Sequence, residues 1–442
     1  MVSPEFKRAA EAVGQVGWAH RKIKDFANAR PLHQHVVEHW PDNERAIYSQ
    51  RAIIFCDLAL RDWAHADVSI DKLLGDYSPH KDAPQVVHDL DYDCRQRLWQ
   101  LAARVGGAAN SAQEEELTFY DEIVCRISEH ILEQWPKTRY AMWAQRSIAF
   151  AHIHAGRYDE AAVAVERLKT DYPSHEGLPQ AFIWLGNDYM RMQQFESAYD
   201  CYQYVVERWP ESELVVEAKV NLGGVRIRQG EEQGARAAFD EVITEYQDGP
   251  EFAQVMRLTA TVYWEAALAD RRDGLDEQSR MHFEQALFES QGILDLQDSP
   301  DYTPWAHYLA GMCYRLLGED DQVVACYEKL IEDWPDFERA WDAQYQIGRI
   351  YADLGKEGKI PRDTGEAKAK AAFEAVVRDY PDCISAKAAQ AWVEHYDRKA
   401  EQKDERRAMW EHMIAVCPDT ELAERGRQWL KENGFLNEGE ER

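Results

Sequence analysis

Three histidines near the amino terminus have the spacing best suited to metal chemistry in this sequence. His33, His35 and His39 fall within one short stretch. His35 and His39 are four residues apart, so on a helix they would share one face, as metal ligands often do. The sequence does not define an acidic or cysteine third ligand for them, so we interpret the group as a polar helix face and predict no metal. His152 and His154 are two apart and would point to different faces of a helix.

Sequence motifs that carry catalytic or cofactor chemistry are absent. The chain contains no GxGxxG, GxxxxGK[ST], HExxH or GxSxG pattern, which are signatures of nucleotide sites, zinc proteases and serine hydrolases. Its carboxylates are so numerous that any pairing of two for acid–base chemistry would be arbitrary. We therefore predict a protein that is not an enzyme and that needs no cofactor.

The composition predicts a well-packed but strongly acidic protein. Hydrophobic residues make up 45% of the 442 residues, and the formal net charge is −29. Such a charge repels phosphate backbones and anionic membrane surfaces, so we expect no nucleic acid partner and no direct membrane insertion. The longest apolar stretch, residues 52–60, is interrupted by Asp57 and is too short to span a bilayer. We also expect no signal peptide, because the first residues lack an apolar segment.

The eight cysteines are scattered and form no CxxC pair. Cys313 and Cys326 are the nearest neighbours, thirteen residues apart. This spacing is typical of small buried apolar residues and not of a disulfide framework or a zinc site.

An aromatic residue followed by proline recurs along the chain and reveals an internal repeat. The interval from Trp135 to Tyr172, to Trp209 and to Tyr246 is 37 residues each time. Because proline cannot continue a helix, each pair should end a helical unit. The pairs are Trp40-Pro41, Trp135-Pro136, Tyr172-Pro173, Trp209-Pro210, Trp334-Pro335 and Tyr380-Pro381.

Two amphipathic helices precede each aromatic–proline pair. Tyr202, Val205 and Trp209 follow the i, i+3, i+7 spacing of one helix face. The helix before them carries a Leu185-Gly186 pair, whose glycine should let the two helices approach closely. Leu-Gly, Ala-Gly or Ile-Gly pairs recur at Leu222-Gly223, Ala310-Gly311 and Ile347-Gly348, and turn glycines are predicted at Gly156, Gly230, Gly318 and Gly355.

This pattern resembles the tetratricopeptide repeat, although the period is 37 residues here and 34 in the usual repeat. The matching residues in one unit are Leu185, Gly186, Tyr189, Ala198, Tyr202 and Pro210. The longer units ending in Trp-Pro or Tyr-Pro are similar to repeats of bacterial envelope proteins of the outer-membrane-assembly and Tol–Pal-associated kind. The resemblance implies an all-α, right-handed solenoid superhelix of about ten helix–turn–helix repeats and a C-terminal capping helix. It slightly favours the bacterial envelope or periplasm, while the cytoplasm stays open.

The repeat pattern divides the chain into six regions. Three units depart from it through insertions at Val105–Leu117, around Asp270–Glu277 and at 356–365, which we expect to project as loops from one edge. The regions are repeats 1–2 (1–80), divergent repeat 3 (81–137), regular repeats 4–6 (138–248), divergent repeat 7 (249–300), repeats 8–10 (301–419) and the capping helix with a tail (420–442).

In tetratricopeptide proteins the first helix of each repeat lines a concave groove, and the resemblance places that lining here. It contains the residue types that dominate interfaces, tryptophan, tyrosine and arginine. The family's carboxylate clamp uses a lysine where this chain has Ile183, although Asn187 fits one clamp position. The predicted groove residues are Trp143, Arg146, Phe150, Gln180, Ile183, Asn187, Arg191, Trp305, Tyr308, Arg315, Tyr345 and Arg349, with His154 and Met312 beside them.

The resemblance implies a scaffold that binds a peptide or protein partner in this groove. An arginine stripe in an acidic molecule would suit an extended peptide or a chain end with carboxylates. Two alternatives stay open. The groove side chains could only fill the inner curve of the repeat, or the protein could be a structural subunit that uses its convex face and inserted loops in a larger assembly. The oligomeric state stays open as well.

Overall fold

The computed structural model describes residues 4–105, 111–296 and 299–436, and within these ranges the chain is all-α, with twenty helices and no strand. The helices are α1 (Pro4–Lys22), α2 (Phe26–His39), α3 (Ala46–Leu60), α4 (Trp63–Asp76), α5 (Ala83–Val105), α6 (Ser111–Gln134), α7 (Tyr140–His154), α8 (Tyr158–Asp171), α9 (Leu178–Arg191), α10 (Phe195–Arg208), α11 (Val215–Arg228), α12 (Glu232–Tyr246), α13 (Phe252–Arg272), α14 (Asp276–Leu294), α15 (Thr303–Leu317), α16 (Asp320–Asp333), α17 (Ala340–Lys356), α18 (Arg362–Asp379), α19 (Ala386–Val416) and α20 (Glu421–Glu432).

Successive helices pair as helix–turn–helix units from α1 to α10 and from α13 to α18, which confirms the predicted repeat fold. The helices α2, α8, α10, α16 and α18 each end one residue before the aromatic of an aromatic–proline pair. In α10, for example, the Trp209 amide donates to the carbonyl of Val205 as the last helical bond, and Pro210 then prevents a further turn. The aromatic side chains at these helix ends are half-buried.

The chain forms two compact units, residues 1–238 and 239–442. In the first unit, apolar side chains of α3 to α11 form two adjoining cores, which include Ile127 and Phe182. In the second unit the core is divided into smaller clusters, around Ile293, Tyr327 and Phe373. Each repeat therefore buries its apolar face against its neighbours, as expected for a repeat protein.

Glycine permits the close approach of the paired helices, as the sequence predicts. A Cβ built on Gly186 of α9 would lie 2.4 Å from Cε1 of Tyr202 on α10. Gly311 meets Tyr327 in the same way, at 2.3 Å from its Cε1. The tyrosine ring thus occupies the space that a side chain at the glycine would need.

The predicted turn glycines are confirmed at three positions and corrected at one. Gly156, Gly230 and Gly318 have φ values of 73°, 79° and 84°, in the left-handed region that glycine adopts without strain. Gly355 instead lies inside α17, where a Cβ would come within 3.2 Å of the Gly365 Cα on α18. The turn glycine of this unit is Gly358, with φ 74°.

The inserted segments lengthen helices more than they form loops, which corrects our expectation. Of Val105–Leu117, Val105 ends α5 and residues 111–117 belong to α6, while 106–110 lie outside the described residues. Around Asp270–Glu277, α13 and α14 leave only residues 273–275 between them. The 356–365 segment forms a short connection, 357–361, before α18 begins at Arg362. Helical backbone satisfies its own hydrogen bonds, so longer helices accommodate extra residues without a loop.

The carboxyl-terminal region differs from the predicted tenth hairpin. The two helices expected before Cys417 form one continuous helix, α19, of 31 residues. Its central residues 398–408 contain neither glycine nor proline and are mostly strong helix formers. The capping helix α20 occupies Glu421–Glu432, as predicted, and its Gly426 lies against Trp410 and Ile414 of α19.

The cysteines lie in or beside the packed helical interior. Cys56, Cys94, Cys201 and Cys313 are buried, the other four are half-buried, and all eight are free thiols. In the part of the chain that the structure describes, we find no helix whose length and apolar character would suffice to cross a membrane.

Candidate binding pocket on the first helices of unit 1

The first helices α5, α7 and α9 lie side by side in the first unit, and their facing residues enclose a pocket of about 320 Å³, which we call the inner pocket. Its lining combines three guanidinium groups with four aromatic rings and one carboxylate. The lining residues are Tyr92, Arg95, Gln96, Trp99, Arg146, Phe150, Trp184, Asn187, Asp188 and Arg191.

Arg146 is the central side chain of the inner pocket. It is 6% exposed, and its Nη2 donates to Oδ2 of Asp188 over 2.7 Å. The guanidinium carbon lies 5.1 Å from the ring centre of Phe150 and 5.5 Å from that of Trp184, within cation–π range. Burial lowers the pKa of Arg146 to about 10, although Asp188 opposes this, so the group stays charged at neutral pH.

One donor of Arg146 is left unused by the protein. Among the described residues no acceptor lies within hydrogen-bond distance of its buried Nε. A buried donor without a partner costs free energy unless a ligand or water supplies an acceptor. Arg146 is thus the residue of the pocket lining whose buried side-chain nitrogen lacks a partner among the described residues.

Asp188 and His154 hold Arg146 from behind. Asp188 is 4% exposed, and its Oδ1 lies 3.3 Å from Nε2 of His154. The His154 ring in turn lies 4.3 Å from the ring of Phe150, centre to centre. These contacts fix the carboxylate and so orient the guanidinium.

Arg95 is anchored by a second buried acid. Its Nε donates to Oδ2 of Asp91 over 2.9 Å, and Asp91 is fully buried. Ser128 donates to the other oxygen of Asp91 at 2.9 Å, and Oγ of Ser147 on α7 lies 2.8 Å from Oδ2. This network links α5, α6 and α7 and locks the wall of the inner pocket.

The mouth of the inner pocket is aromatic and exposed. Tyr92, Trp99 and Trp184 are 51%, 36% and 42% exposed. The guanidinium carbon of Arg191 stands 5.0 Å from the Trp99 ring centre. Trp184 also lies 5.5 Å from the ring of Trp143, which extends the aromatic surface along α7.

The predicted groove residues of the first unit divide into three groups. Arg146, Phe150, Asn187 and Arg191 line the inner pocket, and Asn187 also accepts a hydrogen bond of 2.6 Å from the Tyr202 hydroxyl. Trp143 and Gln180 are half-buried and lie outside the lining. Ile183 is fully buried in the core, which corrects its assignment to the open face.

In the second unit two predicted groove residues of α15 bond to residues of α17 that were not predicted. The Tyr308 hydroxyl donates to Asp342 at 2.6 Å, and Arg315 donates to Gln346. Two others pack on neighbouring side chains, Trp305 beside the guanidinium of Arg257 and Tyr345 beside the ring of Phe373. Arg349 and Met312 are half-buried on the same helices.

Sequence reasoning missed the contribution of the divergent third repeat. Tyr92, Arg95, Gln96 and Trp99 on α5 supply nearly half of the lining. Their i, i+3, i+4, i+7 spacing marks one helix face and could have identified them. The predicted groove residues lie on α7, α9, α15 and α17, so the divergent repeat contributed none.

The histidine group near the amino terminus is dispersed by packing. His33 is 4% exposed, and its Nδ1 lies 3.4 Å from Oγ of Ser49. The rings of His35 and His39 lie 3.9 Å apart, centre to centre, on the surface of α2. No set of three or more metal-ligating side chains comes together within the ranges that the structure describes.

Comparison with known proteins identifies the repeat class. Models of the tetratricopeptide repeat family match residues 185–250, 305–336 and 342–382, and these segments are tetratricopeptide repeats. Folds of this class generally mediate protein–protein interaction and are generally non-catalytic. No curated protein sequence matches the chain. The finer resemblance to bacterial envelope proteins stays a prediction.

Solved structures with a similar arrangement include three helical-repeat proteins. Yeast Tom70 is 13% identical over 89% of this chain and 89% of its own, with a TM-score of 0.33. A tetratricopeptide repeat protein from Parabacteroides merdae is 11% identical over 69% of this chain and 99% of its own, with a TM-score of 0.32. The C-terminal part of one from Cytophaga hutchinsonii is 16% identical, over 61% of this chain and 94% of its own, with a TM-score of 0.31. Likeness at this level says nothing about function.

Proposed function

We propose that this protein is a non-catalytic interaction scaffold whose inner pocket binds an extended segment of a partner protein. The segment carries a carboxylate next to a large apolar side chain. The observation that carries the proposal is the buried guanidinium of Arg146 at the centre of an exposed aromatic surface, where its Nε has no acceptor among the residues that the structure describes.

The charges of the inner pocket favour an anionic group. Arg95, Arg146 and Arg191 line it against a single carboxylate, Asp188. The carboxylate of Asp91 neutralises the charge of Arg95. Arg191 is then the exposed cation of the pocket, beside Trp99. A carboxylate accepts charge-assisted hydrogen bonds from arginine in a fixed geometry, which makes it the best match for these donors. This cationic site stands out in a chain with net charge −29.

The exposed rings favour an apolar side chain beside that carboxylate. Trp99, Trp184 and Tyr92 keep a third to a half of their surface accessible. Tryptophan, tyrosine and arginine dominate the binding energy of protein interfaces. Burial of one more large side chain against them would contribute about 1.5–3 kcal/mol.

The arrangement of the helices favours an extended ligand. The inner pocket spans three adjacent first helices, α5, α7 and α9. Packed helices lie about 8–10 Å apart, so a ligand that crosses all three covers roughly 20 Å. An extended chain spans this distance with about six residues, at roughly 3.3 Å per residue.

An array of immobilised ten-residue peptides tests the proposal. Each peptide carries Phe or Leu next to Asp, Glu, Asn, Gln or Lys in an otherwise alanine and serine background. We expect the chain to bind the Asp and Glu peptides and to bind their Asn and Gln counterparts at least tenfold more weakly. Arg191→Glu and Trp184→Ala should each reduce binding to the acidic peptides by a similar factor.

Arg208→Glu is the matched control, because Arg208 is an exposed arginine of the same unit on α10, outside the inner pocket. It makes the same change of charge and should leave peptide binding unchanged. Equal binding of acidic and amide peptides, or an equal loss in Arg191→Glu and Arg208→Glu, would exclude the inner pocket as the binding site.

The alternative, a structural subunit of a larger assembly, has less support in the structure than in the sequence. It depended on projecting loops, whereas Ser111–Leu117 and Arg362–Gly365 lie within helices.

A further inference from the structure

A second concave surface lies on the opposite face of α7 from the inner pocket. Between α6, α7 and α8 the first unit has a groove of about 470 Å³, which we call outer groove 1. Its apolar floor includes Leu132, Ile148 and Val163. The carboxylates of Glu129 and Glu133, four residues apart on α6, border it.

The same groove recurs in the second unit, between α16, α17 and α18. Outer groove 2 also measures about 470 Å³. Glu328, Glu332 and Ile331 of its lining follow Glu129, Glu133 and Leu132 by 199 residues each. The two outer grooves therefore carry acidic and apolar residues at equivalent positions of their repeats.

An equivalent glutamine hydrogen bond lies at the floor of each outer groove. Nε2 of Gln145 on α7 donates to the carbonyl of Ala164 on α8 over 3.1 Å. In the second unit Gln344 donates to the carbonyl of Ala372 over 3.4 Å. The small alanine side chain beside each glutamine leaves the groove open, and the hydrogen bond satisfies the amide of the glutamine.

The rim and floor of outer groove 1 face solvent. Val163 is 57% exposed although it lies inside a concavity. Glu129 and Glu133 are exposed, and neither forms an ion pair with another residue in the described part of the chain. Among the groups that line the groove, Arg167 is the cation, and burial lowers the pKa of His152 so that its ring is neutral at pH 7.

We propose that each outer groove docks a basic amphipathic helix of a partner protein, with leucine-type residues on the floor and lysine or arginine beside the rim. The two glutamates of each rim are four residues apart, which is also the spacing of side chains on one face of a helix. A partner helix along α6 or α16 can thus place two cations opposite Glu129 and Glu133, or opposite Glu328 and Glu332. This surface is independent of the inner pocket.

The probe is a fourteen-residue model helix of leucine and lysine, with matched peptides in which lysine is replaced by glutamate or the sequence is scrambled. Isothermal titration calorimetry with the full chain should give two sites for the leucine–lysine helix and at least tenfold weaker binding for the other two peptides. Glu129→Lys with Glu133→Lys should remove one site, and Glu328→Lys with Glu332→Lys the other.

Two further variants separate docking from general attraction to an acidic surface. Glu196→Lys with Asp200→Lys reverses two exposed acids on α10 outside both grooves and should keep both sites. Val163→Asp adds negative charge to outer groove 1 but disrupts its apolar floor, so docking predicts weaker binding there and simple attraction predicts tighter binding. The proposal is overturned if Val163→Asp tightens binding, if the α10 variant acts like the rim variants, or if glutamate helices bind as well as lysine helices.

Discussion

Arg146 on α7 and Asp188 on α9 are joined by a hydrogen bond of 2.7 Å between first helices of adjacent repeats. Both side chains are more than nine-tenths buried. The same ion pair therefore stabilises the stacking of two repeats and forms the centre of the inner pocket. Under our proposal, stability and ligand binding in the first unit therefore depend on the same contact.

Replacement of Asp188 by alanine should destabilise the first unit strongly. The change leaves Arg146 charged and buried without its carboxylate, which costs about 3–5 kcal/mol in comparable pairs. Urea unfolding followed by far-ultraviolet circular dichroism measures the loss. Arg146→Met combined with Asp188→Leu should recover most of it, because an apolar pair leaves no buried charge. A double variant as unstable as Asp188→Ala would show that the charge is not the cause.

Replacement of Gly186 by alanine should destabilise the hairpin of α9 and α10. The added Cβ would lie 2.4 Å from Cε1 of Tyr202, so the ring has to move, at a cost of about 1–3 kcal/mol. Gly75 of α4 is the matched control, because a Cβ there meets no atom within 4 Å. Gly75→Ala should stabilise by about 0.5–1 kcal/mol, since alanine is the better helix former. Thermal unfolding of both variants should therefore shift in opposite directions.

The glutamine that spans the hairpin of α7 and α8 should contribute a modest, measurable stabilisation. Gln145 is 3% exposed and donates to the Ala164 carbonyl. Gln145→Leu removes that bond while it keeps the side-chain volume, and we expect a loss of about 0.5–1.5 kcal/mol in urea unfolding. Gln203→Leu, which removes a solvent-exposed hydrogen bond of 2.8 Å to Glu207, should change stability by less than about 0.5 kcal/mol. A larger loss for Gln203→Leu than for Gln145→Leu would contradict this interpretation.

His33 should make the first unit sensitive to acid. Burial, assisted by the charge of Arg21, lowers the pKa of His33 from 6.5 to about 4. A histidine with a lowered pKa in the folded state is protonated first in the unfolded chain, so its contribution is complete above pH 6.5 and is lost as the pH falls towards 4. This loss amounts to roughly 2–3 kcal/mol at pH 4.5. The His33→Gln variant should not show this loss of stability at low pH.

The measurement compares the free energy of unfolding of wild type and His33→Gln at pH 7.5 and pH 4.5. The wild type should lose more stability over this interval than the variant does. Equal losses in both proteins would assign the acid sensitivity to other groups.

The helical repeats could be predicted from the sequence because their signals are local. The aromatic–proline pairs end helices within one turn, and Gly156, Gly230 and Gly318 adopt the left-handed conformation that reverses the chain. The capping helix α20 lies within the region predicted for it, 420–442, for the same reason. Local backbone preference also explains the error at α19, where the absence of a glycine or proline favours one long helix over a hairpin.

The inner pocket could be predicted only in part, because it depends on contacts between residues far apart in sequence. Arg146, Phe150, Asn187 and Arg191 followed from their places on first helices. The sequence placed Ile183 on the same open face, yet it is fully buried. Which face of a helix stays open depends on how the neighbouring hairpin packs against it, and no residue within one helical turn determines this.

The sequence by itself determined that this chain is a series of paired helices, because turn, cap and helix-face signals act over three to seven residues. Only the tertiary structure decided that α5 completes the inner pocket, that Asp188 holds Arg146, and that Ser147 reaches Asp91 across 56 positions. Those pairings arise when separate hairpins stack and bury polar groups that must find partners in the neighbouring repeat.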